Sequence, residues 1–252
     1  MKTIAICSLS GGQGKTTTTL LLGRALAAAG HTVCLIDADP QHSLTLFSGV
    51  KLERDEPSLL ELFKGLSEPV DCVYPLEESE HLFIIPSDDS LDAAHEYLAN
   101  TGMGAAVLKR RLESLGDHFT FCIIDCPPQR SQIVLSALGA ADSLIVPSEA
   151  TVKGFVSAAR TLDLFNGQRD IGACDAKLVG LLPMRDRWIG RNQSKESQLS
   201  IQAMHDEVGE DLVLAAVPES EQYKRAMSQN YDLSDRHKAP FEAIAEQMGA
   251  SI

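Results

Sequence analysis

The ten residues Ser10-Gly11-Gly12-Gln13-Gly14-Lys15-Thr16-Thr17-Thr18-Thr19 follow a short apolar stretch and lead directly into Leu20-Leu21-Leu22. A strand that passes through glycines into a helix leaves few folds open to a chain. Glycines let consecutive backbone N–H groups crowd around an anion, and the helix N-terminus adds a favourable field. In that setting Lys15 reaches the β- and γ-phosphates of a nucleoside triphosphate, and the Thr16 hydroxyl ligates Mg²⁺. Ser10, Gly11, Gly12, Gln13, Gly14 and Thr17 complete the expected cradle. The ordinary pattern G-x-x-x-x-G-K-[ST] is broken at one place, where Leu9 occupies the position of its first glycine.

A loop of this kind needs a parallel sheet behind it, and the rest of the sequence supplies the pattern. Short apolar, often β-branched runs at 3–7, 33–36, 82–85, 119–124, 143–146, 177–182 and 212–217 predict strands. Helical periodicity occupies 16–29, 91–99, 105–115, 132–138, 152–165, 198–208 and 221–229. The alternation predicts an α/β fold with a mostly parallel sheet and helices on both faces. Without a repeat, a low-complexity tract or a Pro/Gly/Ser linker, residues 1–252 read as a single domain. The segment 49–80, acidic and interrupted by Pro57, Pro69 and Pro75, reads as helix and loop at the sheet edge.

Two acidic clusters end predicted strands: Asp37-Ala38-Asp39-Pro40-Gln41 and Asp125-Cys126-Pro127-Pro128. In open parallel sheets ligands lie beyond the carboxyl ends of the strands, so both clusters are expected beside the glycine-rich loop. Asp37 and Asp125 suit Mg²⁺, through water, and Asp39 suits the positioning of an attacking water. Lys15 and Asp39 are therefore the candidate catalytic pair.

Charge limits the partners. Lys and Arg total 22 against 35 Asp and Glu, a formal net charge of −13, which disfavours an all-over basic nucleic-acid binder and leaves any contact with DNA to a local patch. Arg185, Arg187, Arg191 and Lys195 form one such cluster, joined by Lys224 and Arg225 after the last predicted strand. The six cysteines make no C-x-x-C pair, and the spacing of Cys122 and Cys126 is wrong for a zinc knuckle, so they read as small core residues of a reducing compartment. No signal peptide and no membrane-length apolar stretch is seen, and the expected location is the cytoplasm.

These motifs together resemble the ParA/MinD family of deviant Walker-A ATPases, whose loop reads K-G-G-x-G-K-[ST] and whose later motifs are similar to DADPQ and IIDCPP here. The resemblance extends over nearly the whole chain, through LLPMRDR and AVPESEQYKRA. It implies an ATP-dependent sandwich homodimer that hydrolysis dissociates, and it places Met184, Pro218, Glu219 and Ser220 near the adenine. The family's signature lysine, five residues before Lys15, is here Ser10. Serine in this context resembles the McdA branch, ParA-type ATPases that space carboxysomes along the cyanobacterial nucleoid. That resemblance implies nonspecific binding of nucleoid DNA and an adaptor protein of the McdB type that stimulates hydrolysis and release.

A serine hydroxyl cannot replace an ammonium between two nucleotides, so another cation is expected to compensate. Lys153, after the predicted strand 143–146, is the first choice and Arg130 the second. Rival readings are a plasmid or chromosome partition ParA and, from a different class, a metabolic P-loop ligase of the dethiobiotin synthetase type. Membrane positioning of the MinD kind is disfavoured, because residues 239–252 contain two Glu and no Lys or Arg. Electron-transfer relatives with a bridging iron–sulfur cluster are disfavoured by the cysteine positions.

Overall fold

The structure, a computed structural model, describes residues 1–229 and 232–250. The last two residues of the 239–252 tail considered above therefore lie outside the described residues. Seven strands form one sheet: β1 (Lys2–Ile6), β2 (Val33–Asp37), β3 (Tyr74–Leu76), β4 (Ser79–Ile85), β5 (Phe121–Asp125), β6 (Ser143–Glu149) and β7 (Lys177–Met184). Their spatial order is β3-β4-β2-β5-β1-β6-β7. Every pairing is parallel except that of β3 with β4 at the edge. Near-continuous apolar runs produce strands buried on both faces, as parallel sheets require.

Side chains of β1 alternate between two cores. Ile4 and Ile6 enter one, which lies under α1 (Lys15–Ala28). Ala5, and Cys7 just beyond the strand, enter the other, under α3 (Leu59–Lys64), α4 (Ala93–Asn100), α5 (Gly104–Leu112), α6 (Gln132–Ala140) and α7 (Val152–Asp170). The short α2 (Ser43–Ser48) follows β2. Helix starts match local chemistry: Ser58 and Glu61 make a capping box on α3, Ser131 caps α6 through Val134 N–H, and Thr151 caps α7 through Gly154 N–H. All six cysteines are buried and unpaired.

The predicted strand at 212–217 does not form. After a short 3₁₀ turn (Glu210–Leu212) the chain runs extended beside β7, with only isolated bridges Leu181↔Val213 and Asp186↔Pro218. Leu214 N–H donates to Leu181 O and Val217 N–H to Pro183 O, both at 2.8 Å. Three residues on one side thus span two on the other, and the extra residue breaks the ladder. The segment 49–80 does lie at the sheet edge, but it contributes strand β3 in addition to helix and loop.

Four elements close the fold: the hairpin strands β8 (Trp188–Ile189) and β9 (Asn192–Gln193), then α8 (Lys195–Val208) and α9 (Glu221–Gln229). They are followed by α10 (Asp235–Gln247), which packs on α1 and buries Phe241, Ile244 and Ala245, and its C-cap Met248, at helical spacing. No described helix is long and apolar enough to cross a membrane.

Candidate nucleotide-binding site

The glycine-rich loop joins β1 to α1 with Gly12 at φ +78° and Gly14 at φ +91°, conformations that favour glycine. Gly14 is the N-cap of α1 and supplies no side-chain cap, so the helix N-terminus keeps donors available for an anion. Lys15 is buried, and its Nζ donates to Ser10 O at 3.0 Å, folding the ammonium back over the loop. Thr16 and Thr17 are half-buried in the first turn.

The loop is fastened at two points by the β6–α7 segment. At its start, Leu9 N–H donates to Thr161 Oγ1 at 3.1 Å, and Ser8 Oγ lies 3.2 Å from Ser157 Oγ. Leu9 in place of the first glycine thus sits where α7 holds the loop. In the middle of the loop, the buried Gln13 accepts Glu149 N–H through Oε1 at 2.9 Å. Glu149 in turn accepts Arg185 Nη1 at 3.0 Å.

Asp37 and Asp125 end adjacent parallel strands in register and are both buried. Asp37 Oδ2 accepts both Thr45 N–H and Thr45 Oγ1–H at 2.8 Å, and its Oδ1 accepts Asp39 N–H at 3.2 Å. Burial nevertheless pushes its carboxyl up to about 6. Asp125 is held well above the usual carboxylate range by burial and then by the neighbouring Asp37 charge; Thr16 and Lys15 offset part of this. Thr16 approaches without forming a geometrically sound hydrogen bond, since neither carboxyl oxygen of Asp125 has a partner. Two buried oxygens without donors, beside a second carboxylate and a threonine hydroxyl, form the hard-oxygen donor set that Mg²⁺ takes, so the residues fit that ion.

Asp39 is half-buried at the lip of the site, where its Oδ1 accepts Gln41 N–H at 3.0 Å and its backbone oxygen accepts Ser87 Oγ–H at 3.1 Å. On the other side of the loop a cavity of about 520 Å³ opens among Gly14, Thr17, Met184, Pro218, Glu219 and Ser220. Met184 packs so closely on Gly14 that a Cβ there would lie 2.6 Å from its terminal methyl carbon. The cavity and the carboxylate pair thus flank the first turn of α1 from opposite sides.

A family model described as an AAA domain matches residues 1–169. The maintenance of carboxysome distribution protein A of Synechococcus elongatus is 47% identical over 253 residues, covering 99% of this chain and 100% of that protein. The chain belongs to the ParA/MinD family, in its McdA branch. Among solved structures, McdA from Cyanothece, an Asp-to-Ala variant in complex with ATP, is 45% identical with a TM-score of 0.97, over 100% of this chain and 98% of that one. Cobyrinic acid a,c-diamide synthase from Mycobacterium smegmatis, with bound ADP and magnesium, is 26% identical with a TM-score of 0.83, over 98% and 94%. This McdA-type chain therefore has the architecture of a P-loop NTPase that relatives use to hold adenine nucleotides.

The structure distributes the basic residues unevenly. Arg185, Arg187, Arg191, Lys195, Lys224 and Arg225 are all exposed. Arg185, at φ +56°, lines the cavity and pairs with Glu149, so it is drawn toward that cavity and away from the other basic residues. Arg187 pairs with Glu219 at 3.7 Å, and Lys224, also at the cavity, pairs with Glu221 at 2.7 Å. Among the described residues Arg191, Lys195 and Arg225 have no ion-pair partner. Lys153 is exposed in the first turn of α7 next to the exposed Val152, and Arg130 is exposed after the Asp125 cluster.

Three supporting residues escape sequence reasoning. Thr45 carries no motif, since its role depends on α2 folding back onto Asp37. Glu149 matters partly through its backbone N–H, which no side-chain pattern announces. Asp186 is buried and accepts Trp188 Nε1–H at 2.7 Å and Gln193 Nε2–H at 2.8 Å. The signal available there is Asp186 two residues before the chain's single tryptophan, Trp188.

Proposed function

We propose that the chain is an ATP-driven positioning protein: it binds MgATP, forms a sandwich homodimer, coats nucleoid DNA without sequence preference, and releases it when an adaptor of the McdB type stimulates hydrolysis. The cargo is the carboxysome, by analogy with the named function of the Synechococcus elongatus relative. In this reading residues 1–252 act as one unit in the cytoplasm, associated with the nucleoid. The observation that carries the proposal is the pair of in-register carboxylates, Asp37 and Asp125, the latter without any donor, beside a glycine loop whose lysine is parked on a backbone carbonyl.

In this reading the phosphates enter the loop between Gly11 and Thr17, and Lys15 leaves Ser10 O for the β- and γ-phosphate oxygens. Thr16, Asp37 and Asp125 would hold Mg²⁺, which when bound would supply charge neutralisation at the phosphates. Adenine occupies the cavity lined by Met184 and residues Pro218 to Ser220. Asp39, exposed enough to meet water and fixed by Gln41 N–H, orients the attacking water toward the γ-phosphate. At the dimer interface Lys153, flanked by the exposed Val152 and Val156 of α7, brings the cation that Ser10 lacks, with Arg130 as the second candidate.

The test compares three variants in equilibrium nucleotide binding and single-turnover hydrolysis. Lys15→Ala and Thr16→Ala lose MgATP binding or dimerisation, because they contact ground-state phosphates and metal. Asp39→Ala keeps ATP and turns over at least ~100-fold more slowly, because a water-positioning carboxylate acts mainly in the transition state. Normal turnover by Asp39→Ala removes that assignment, and a Lys15→Ala protein that both binds MgATP and dimerises like the parent removes the site.

A further inference from the structure

The β8–β9 hairpin is too small to stand without support. Two strands of two residues each are far below the size at which an isolated hairpin persists in water. It stands because the buried Asp186 grips both strands, taking the Trp188 indole N–H with one oxygen and the Gln193 amide with the other. The base of the hairpin is closed by Ser194 N–H to Arg187 O at 2.8 Å and by Arg187 N–H to Ser197 Oγ at 3.1 Å. A buried carboxylate committed to holding a surface ribbon implies that the ribbon itself has a use.

Its exposed surface indicates what the ribbon meets. Trp188 is 48% exposed and Ile189 67% exposed, although consecutive strand residues point to opposite faces. Both faces of the ribbon therefore carry large apolar groups into solvent, which gives a blade and not a patch. Arg187, whose exposed partner Glu219 lies 3.7 Å away, is at its base, Arg191 at its tip and Lys195 at the start of α8, with Glu196 the one acidic residue between 187 and 196. In a chain of net charge −13, this concentration of cations around an apolar blade selects a polyanion with an apolar interior.

The polar groups of the blade decide the mode of contact. The indole N–H and the Gln193 amide, which would otherwise be available to read a base edge, are already bonded to Asp186. Apart from the exposed Asn192 amide, what remains outward is apolar surface and positive charge, which suit contact with a duplex made mainly through its backbone and base steps. We infer that the β8–β9 hairpin is the element that enters a groove of double-stranded DNA, with Trp188 and Ile189 against sugars and base steps and with Arg187, Arg191 and Lys195 on the flanking phosphates. This rests on the proposed DNA binding and specifies where and how it occurs.

Trp188 is the only tryptophan of the chain, so its emission reports on the blade directly. With MgATP present, addition of a duplex of arbitrary sequence changes Trp188 fluorescence in parallel with the anisotropy of a labelled duplex, and raised salt reverses both together. Ile189→Ser, which keeps the probe, weakens duplex binding roughly tenfold, as expected for loss of an apolar wedge. Its nucleotide affinity, measured separately, serves as the folding control. Replacing Arg191 and Lys195 with Gln lowers the salt slope by about two, one for each phosphate contact.

Saturable duplex binding with Trp188 emission unmoved and Ile189→Ser unaffected overturns the inference while leaving DNA binding intact. An emission change on addition of the adaptor protein, and none with DNA, overturns it in favour of a protein partner. Absence of any saturable duplex binding removes the DNA-binding reading and this inference with it.

Discussion

Gly154 offers a quantitative test of how α7 is locked to the phosphate loop. A Cβ added there would lie 2.0 Å from Glu149 O and within 3 Å of the carbonyl carbon and nitrogen of the same residue. Backbone cannot rotate away as a side chain can, so Gly154→Ala must move either the first turn of α7 or the end of β6. Overpacking of this kind costs about 1–3 kcal/mol, against which the better helix propensity of alanine returns up to about 1. The expected net loss is about 1–2 kcal/mol, a fall in Tm of roughly 4 °C for a chain of this size.

Gly167, exposed in the same helix with nothing within 4 Å of an added Cβ, is the matched control. Gly167→Ala should raise stability by about 0.5–1 kcal/mol. Because Glu149 N–H holds Gln13, the displacement at 154 should also weaken MgATP binding, which the control leaves alone. Thermal melts and nucleotide titrations of the two variants decide it. A Gly154→Ala protein that melts with or above the parent and binds MgATP equally would refute the locking of loop to helix.

Lys153→Ala should lose ATP-dependent dimerisation while the monomer still binds nucleotide, and Ser10→Lys added to it should partly restore the dimer, both read by analytical ultracentrifugation. Arg185→Ala should weaken MgATP binding by the monomer about three- to tenfold in the absence of DNA, since its guanidinium sits at the cavity on Glu149; unchanged nucleotide affinity would return it to the outer basic surface. In metal-free protein Asp37, with its carboxyl raised from 3.8 to about 6, holds its proton more firmly folded than unfolded, so its contribution is full at low pH and is lost as pH rises from about 4 to 6. Melting curves of the parent should therefore fall relative to those of Asp37→Asn across that window, and parallel curves would contradict the burial argument.

What the sequence makes legible is what depends on neighbours in the chain. The loop from Ser10 to Thr17, the DADPQ strand end and the DCPP strand end each carry their geometry within a few residues. The 212–217 run is the opposite case. Its apolar residues pack as a strand would, but whether they ladder depends on register against β7, and one extra residue between Leu214 and Val217 breaks it. Helix α10 is obscured by Pro240 in its first half, though Phe241, Ile244, Ala245 and Met248 keep helical spacing. The basic cluster at 185–195 reads as one patch in sequence, whereas the left-handed backbone at Arg185 turns that side chain toward Glu149 and leaves Arg187, Arg191 and Lys195 around the hairpin.

The strand order has a consequence for how the chain is made. Strand β1 sits between β5 and β6 and touches no other strand, so the strand that launches the phosphate loop has no partner until residues near 121 have been synthesised. At about 5–20 residues per second this is an interval on the order of ten seconds during which an apolar edge stands open on the ribosome. The cavity lined by Met184 and by residues of 217–228 closes later still. In the proposed function, a nascent chain therefore completes its nucleotide site in two steps, the glycine loop with its carboxylates first and the cavity beside Met184 afterwards. Arrested chains of increasing length should acquire ATP retention only after the second of these segments has left the exit tunnel.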